Sequence, residues 1–282
     1  MKNLWLIANS MSSTTEASVI EQVREAITGQ GVTVSRMIDL AEEALPDLGP
    51  DNGPDLGDPP PDIIASLGGD GTAHAVIDAC AGGESAPLLL ILPGGTMNLL
   101  AAKLHGDADI LQVIEAAFGT GGDVRCLPQI EGPDFHSLVG LIAGSTTQWG
   151  DVREDIRKGE IGALVEDVPA ALEATFSGAR VRLRGQESEY AALFVEPQDD
   201  GLHVHDIVAE NMADLARHGW AWLNRDFLGG PTEELAQRHE ITLESDDPDI
   251  TLLVDGEPVP ATSPLMLRWG ACRARFIATL RG

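Results

Sequence analysis

The turn Gly68-Gly69-Asp70-Gly71-Thr72 follows the apolar run Ile63-Ile64-Ala65-Ser66-Leu67 and precedes a short helical pattern over 74–81. A strand, a glycine turn and a helix N-terminus together aim backbone N–H groups at one spot, which suits an anion, phosphate above all. Asp70 adds a carboxylate there. A carboxylate beside phosphate is repulsive unless a divalent cation or a proton transfer lies between them. Phosphate with Mg²⁺ and a carboxylate is the chemistry of phosphoryl transfer. The plain alternative is a tight turn whose glycines only supply positive φ. A second loop of the same design weighs against it: Leu88-Leu89-Leu90-Ile91-Leu92 leads into Pro93-Gly94-Gly95-Thr96-Met97-Asn98. Neighbouring parallel strands would set both loops at the carboxyl edge of one sheet, where ligands of open α/β sheets bind. Neither loop is a Walker A motif or a dinucleotide fingerprint.

These loops need a sheet beneath them. The continuous apolar runs at 63–67 and 88–92 read as strands buried on both faces. Ahead of them, 4–8 reads as a strand and 14–28 as a helix with Ala17, Ile20, Val23 and Ile27 on one face and Ser12 or Ser13 as its cap. A strand over 32–38 follows, and Thr72 is the expected cap of the helix after the glycine turn. This alternation implies right-handed βαβ units and a parallel sheet. The Pro/Gly/Asp-rich stretch 44–62 reads as a surface loop or a partly disordered segment, and 109–118 as a helix. From about 123–125 the rhythm changes to short β-rich segments at 137–142, 179–184, 191–195, 202–208, 241–244, 250–254, 265–268 and 273–279, with helical interludes at 160–175 and 209–223. The expected architecture is an α/β unit over 1–124 and a β-sandwich over 125–276.

Composition narrows the partners. With 18 Lys+Arg against 45 Asp+Glu the net charge is −27, which argues against nucleic acid and against resting on an anionic membrane. Cys80, Cys126 and Cys272 are odd in number and lack metal-ligand spacing, as expected of reduced thiols in a cytoplasmic protein. The N-terminal apolar run is too short for a signal peptide, and no stretch has the length of a membrane-spanning helix. Membrane contact is expected to be peripheral or transient at most, and a homodimer stays open.

Gly68-Gly69-Asp70-Gly71-Thr72, then Pro93-x-Gly-Thr-x-Asn98, then Val254-Asp255-Gly256-Glu257 near the C-terminus, in that order, resemble the diacylglycerol kinase catalytic family. That family covers soluble bacterial lipid kinases, sphingosine kinases and ceramide kinases, with NAD kinases and phosphofructokinases as distant relatives. The resemblance implies an ATP- and Mg²⁺-dependent kinase that phosphorylates the hydroxyl of a diacylglycerol, another glycerolipid or a sphingoid base. It also implies that the unit over 1–124 binds the nucleotide and is joined by about 277–282. It implies that Asp70 binds the catalytic Mg²⁺ and orients the γ-phosphate or assists deprotonation. Gly68, Gly69, Gly71 and Thr72 would contact the nucleotide phosphates, with Gly94, Gly95, Thr96 and Asn98 as the second half of the cradle; Thr96 and Asn98 also fit as helix caps. Asn9 would touch the nucleotide from the first turn, although this turn lacks the family's proline and glycine. The family's nucleotide-proximal threonine has no counterpart near 44–62.

Read alone, Asp255-Gly256 is a hairpin-turn dipeptide. In the company of the other motifs Glu257 resembles the family's proton acceptor, with Asp255 as metal partner or rival for that role. Asp199-Asp200-Gly201-Leu202 resembles a loop that holds a structural Mg²⁺ in some relatives, through Asp200 and carbonyls such as that of Leu202; an acidic turn entering a strand is the plain reading. In His203-Val204-His205-Asp206 a strand would put both histidines on one face and Asp206 on the other, and metal binding there is the minor reading. His74 and Asp78 read as a surface pair, Trp220 and Trp222 as core packing with an apolar substrate groove as the alternative, and the charged run 151–158 as a solvated, mobile segment. An NAD kinase is the first rival, but its acceptor-binding Asn-Glu pair is missing, since Asn211 is followed by Met212. A non-catalytic nucleotide or lipid sensor is the second.

Overall fold

The structure, a computed structural model, describes residues 2–12, 15–46, 48, 60–80, 86–95, 97–144, 180–207 and 232–280. It separates into two compact units, one of Met1–Leu127 with Cys272–Gly282 and one of Pro128–Ala271. The expected helices at 160–175 and 209–223, Trp220, Trp222 and the charged run 151–158 lie outside the described residues, as does Thr96.

The first unit starts with β1 (Asn3–Ala8), α1 (Ala17–Gly29) and β2 (Thr33–Asp39), continues through β3 (Ile63–Gly68), α2 (Asp70–Cys80), β4 (Leu88–Pro93), α3 (Leu99–His105) and α4 (Ile110–Glu115), and closes with β5 (Asp123–Arg125). Strands β2, β1, β3 and β4 lie side by side and parallel, and every residue of β3 is buried, as its unbroken apolar run requires. The sheet is not purely parallel. The last strand of the chain, Phe276–Ala278, enters between β4 and β5, parallel to β4 and antiparallel to β5.

Ile20, Val23 and Ile27 of α1 pack into a core cluster with Leu4, Leu6 and Leu90, whereas Ala17 stays exposed. The N-cap residue of α1, Glu16, makes no side-chain capping bond, and among the described residues before it the hydroxyls of Ser12 and Thr15 are turned to the carbonyl of Gly94, each at 2.8 Å. The helix expected over 109–118 is shorter: Asp109 and Gln112 form a capping box, and beyond Glu115 the chain loosens into a π-helical turn, Ala116–Gly121.

His105 ends α3 and is 5% exposed, with its Nδ1 3.0 Å from the Thr279 hydroxyl. Burial pulls its pKa from 6.5 down to about 4, against a small upward pull from the Ile91 backbone. The unfolded chain binds this proton more readily, so the native state loses stability as pH falls from 6.5 towards 4 and keeps it above 6.5. The loss reaches roughly 3 kcal/mol by the bottom of that window. Urea unfolding of wild type and His105→Gln at pH 7 and pH 4.5 checks this: the pH dependence should shrink in the variant.

The second unit holds β6 (Pro128–Glu131), β7 (His136–Ser137), β8 (Leu141–Gly144), β9 (Val181–Leu183), β10 (Ala192–Gln198), β11 (Gly201–Ile207), β12 (Thr232–Arg238), β13 (Glu240–Ser245), β14 (Asp249–Val254), β15 (Glu257–Thr262) and β16 (Leu265–Ala271); β17 (Phe276–Ala278) is the returning strand of the first unit. They form two antiparallel sheets, ordered β12-β11-β10-β8-β14-β15 and β7-β6-β16-β13-β9. Both sheets contribute to one buried cluster, with Leu141, Leu193, Val204 and Leu252 from one and Ile130, Leu183, Leu243 and Leu267 from the other. The strand expected over 137–142 is broken into β7 and β8, because residues 138–140 turn their N–H groups to the carboxylate of Asp255. Pro258 and Pro260 are tolerated in β15 because it is an edge strand.

Candidate functional site

The order β2-β1-β3-β4 reverses direction between β1 and β3, and in open α/β sheets ligands bind at the carboxyl ends of the strands at such a reversal. Asn9 leaves β1 there: its N–H donates to the Leu67 carbonyl at 3.1 Å, and its Nδ2 donates to the Thr72 hydroxyl at 3.3 Å. Gly68 and Gly69 leave β3 at the same edge, and α2 begins at Asp70 itself. Thr72 is therefore not a cap. It is a buried residue of the first helical turn, and its side chain lies so close under Gly68 that a Cβ on Gly68 would stand 2.6 Å from the hydroxyl oxygen.

The two glycine loops are locked against each other. Gly94 donates its N–H to the Gly68 carbonyl at 3.0 Å, while its own carbonyl takes the Ser12 and Thr15 hydroxyls. A Cβ on Gly94 would stand 2.7 Å from the Gly68 nitrogen, and one on Gly95 2.4 Å from the Gly69 Cα. Among the described residues, no glycine of either loop has a positive φ. Gly94 and Gly95 are needed because two backbones touch there and Gly68 because the Thr72 side chain lies against it, and the plain reading of a left-handed turn does not hold.

Asn98 completes the lock. It sits in the left-handed region (φ 52°, ψ 44°), where its Oδ1 accepts the N–H groups of Gly94 at 3.1 Å and Gly95 at 2.6 Å and its Nδ2 donates to the Gly95 carbonyl. It makes no capping bond to α3. That helix instead receives the side chain of Asp70, whose Oδ1 accepts the Leu100 N–H at 3.1 Å. Asp70 thus stands in the first turn of one helix and against the N-terminus of the next, held where two helix dipoles present their positive ends. Gly69 is the open position of the cradle. A Cβ there meets nothing closer than the Gly95 Cα at 3.6 Å and the Ser12 Oγ at 3.8 Å.

Sequence reasoning missed how the first turn is held without the family's proline and glycine. Asp39 at the end of β2 accepts the N–H groups of Ser10 and Ala41 on one oxygen, both at 3.1 Å. Burial would raise its pKa, but the bonds from the Ser10 side chain and backbone and from Ala41 outweigh burial and hold it below the usual value. Beside it opens a cavity of about 530 Å³ with Ala8, Ile20 and Ile38 on its walls and Asp39, Glu42 and Glu43 at its rim.

In the second unit, Asp255-Gly256 is the two-residue turn joining β14 to β15, with positive φ at both positions (46° and 87°) as a primed hairpin turn needs. Asp255 is 3% exposed. Its Oδ1 accepts Ser137 Oγ at 2.6 Å, Val139 N–H at 3.0 Å and Gly140 N–H at 2.9 Å, and its Oδ2 accepts Leu138 N–H at 2.9 Å. A carboxylate this fully donated to is a clamp for the loop between β7 and β8, which suits it poorly to hold a metal or take a proton. Glu257 is the first residue of β15 and is half-buried.

The reading of Asp200 and Leu202 as a Mg²⁺ loop meets a different arrangement. The Asp200 carboxylate lies 2.8 Å from His203 Nε2, its carbonyl accepts Gln237 Nε2 and lies 3.2 Å from His239 Nε2, and Leu202 is a fully buried strand residue paired with Pro197 and Arg238.

No curated protein matches the sequence. Among solved structures, a "putative diacylglycerol kinase" from Bacillus anthracis str. Sterne is similar with a TM-score of 0.64 and 15% identity, over 98% of this chain and 95% of that one. A structure described as a diacylglycerol kinase from the same organism has a TM-score of 0.61 at 15% identity, over 98% and 97%. At this identity the likeness is one of fold. The stretch 3–125, which carries both glycine loops, matches the family model of the diacylglycerol kinase catalytic domain, the family that the motifs of this sequence resemble.

Proposed function

We propose that this protein is an ATP-dependent kinase that transfers the γ-phosphoryl group to the hydroxyl of a lipid. The observation that carries the reading is Asp70 in the first turn of α2, beside a glycine cradle interlocked at the carboxyl ends of β3 and β4, inside the stretch that matches the kinase family model.

In this reading the open face of Gly69 and the first-turn N–H groups of α2 receive the phosphates. The amides of Gly94 and Gly95 are taken by Asn98, so the second loop contributes shape and rigidity and little direct bonding. Asp70 offers hard oxygen in the setting Mg²⁺ uses, a carboxylate plus substrate phosphates, so the residues present fit the ion. Bound there, Mg²⁺ supplies neutralisation of the charge on the transferring phosphate. The cavity beside β1 and β2 offers apolar walls for the base and carboxylates for ribose hydroxyls. Glu257 accepts the proton of the attacking lipid hydroxyl, and Asp255 holds the hairpin that presents it.

Incubation with Mg²⁺, γ-labelled ATP and mixed micelles of diacylglycerol, monoacylglycerol or sphingosine, with NAD as a further acceptor, tests the proposal. Label on a lipid supports it. Label on NAD alone, or on nothing, overturns it.

A further inference from the structure

We propose that His203, His205 and Glu234 form a binding site for a divalent transition metal of the zinc class, with Asp200 orienting His203. The site lies wholly within the second unit, and the argument is independent of the kinase reading.

The backbone assembles the cluster. His203 and His205 are two apart on β11, so their side chains leave the same face, and both are buried at 8% and 6% exposure. On the edge strand β12, Glu234 stands directly opposite His205, after a register shift between Val204 and His205. One ligand atom from each of the three residues can be chosen so that all lie within 4.8 Å of one another. Ligand atoms on a tetrahedral ion at about 2.1 Å stand about 3.4 Å apart. His203 Nδ1 and Glu234 Oε2 are already 3.4 Å apart.

Two features point to a ligand. The first is His205 Nε2, which is buried and has no hydrogen-bond partner among the described residues, a costly state that a metal bond relieves. The second is the Asp200 carboxylate, 2.8 Å from His203 Nε2. A proton on Nε2 shared with Asp200 leaves the Nδ1 lone pair aimed at Glu234, the carboxylate–histidine–metal arrangement that fixes ring and tautomer in zinc sites. On the other neighbouring strand, Glu196 stands opposite His203. Three carboxylates around two imidazoles favour a cation, and imidazole donors select zinc-like ions over Mg²⁺ or Ca²⁺. The bond across the β11–β12 pair would pin an edge strand.

The full-length protein, stripped with chelator, is titrated with Zn²⁺ by calorimetry. The expected result is saturable binding of a single ion, unaffected by excess Mg²⁺, and a rise in thermal midpoint. Glu234→Gln, at an exposed position, should weaken binding by roughly 100-fold or more, and Asp200→Asn by roughly 10- to 100-fold, with their folds intact. Co²⁺ in place of Zn²⁺ should give the d–d bands of a four-coordinate N/O site without thiolate charge transfer, which separates this site from the exposed Cys126. Equal affinity in wild type, Glu234→Gln and His205→Ala overturns the proposal, as does absence of stoichiometric binding or a thiolate spectrum.

Discussion

Asp70→Asn should abolish turnover while leaving the protein folded. Asparagine keeps a carbonyl oxygen where Asp70 Oδ1 accepts the Leu100 N–H, so α3 stays anchored. What disappears is the negative charge between two helix N-termini, the feature that lets the site hold a cation against phosphate. Positioning and charge neutralisation carry nearly all of the catalysis in phosphoryl transfer, so the expected fall is roughly 10³-fold or more in kcat. An Asp70→Asn protein with wild-type circular dichroism and near-normal turnover would remove Asp70 from the chemistry.

Glu257→Gln and Asp255→Asn should fail in different ways, although the residues are two apart. Glutamine at 257 keeps the size of the side chain and loses the base, so transfer should fall roughly 10²- to 10⁴-fold at unchanged nucleotide affinity and unchanged thermal midpoint. Asparagine at 255 keeps a carbonyl oxygen for the three donors on Oδ1 but sets its NH2 against the Leu138 N–H that now meets Oδ2, and it removes the charge that strengthens all four bonds. A hydrogen bond to a charged group contributes about 1.5–3 kcal/mol, and losing that one while weakening the other three costs about 3 kcal/mol of stability. The measurement is urea unfolding beside a single-turnover assay on each variant. A stable Asp255→Asn protein, or a Glu257→Gln protein that turns over normally, would reverse the roles assigned here.

What could be read from the sequence depended on how local the cause was. Strands β3 and β4 were legible because burial on both faces demands unbroken apolar runs, and the glycine loops because they directly follow those strands. The reason for the glycines was not legible. It lies in contacts between Gly68 and Gly94 and between Gly69 and Gly95, which only the folded sheet brings together. The Asp255 clamp was hidden in the same way, since its donors are more than a hundred residues away. Strand β12 was missed because Thr-Glu-Glu-Leu-Ala-Gln-Arg is made largely of helix formers, and pairing with β11 overrides that preference. His203 and His205 were correctly placed on one face, but Glu234 could not be joined to them without the register of β12.

The account stands on phosphate being held at the open glycine of the first loop, and Gly69 allows a clean test of that. A Cβ at Gly68, Gly94 or Gly95 would press into backbone or a buried side chain, whereas one at Gly69 makes only ordinary contacts, so Gly69→Val can fold. Its added methyls would then stand where the phosphates must approach. Calorimetric titration of Mg²⁺-ATP into wild type and Gly69→Val, each checked by circular dichroism, is the measurement. The expected result is saturable binding to the wild type and a loss of roughly 100-fold or more in the folded variant, about 3 kcal/mol. Equal affinity in the two proteins would show that nucleotide binds elsewhere and would contradict the account.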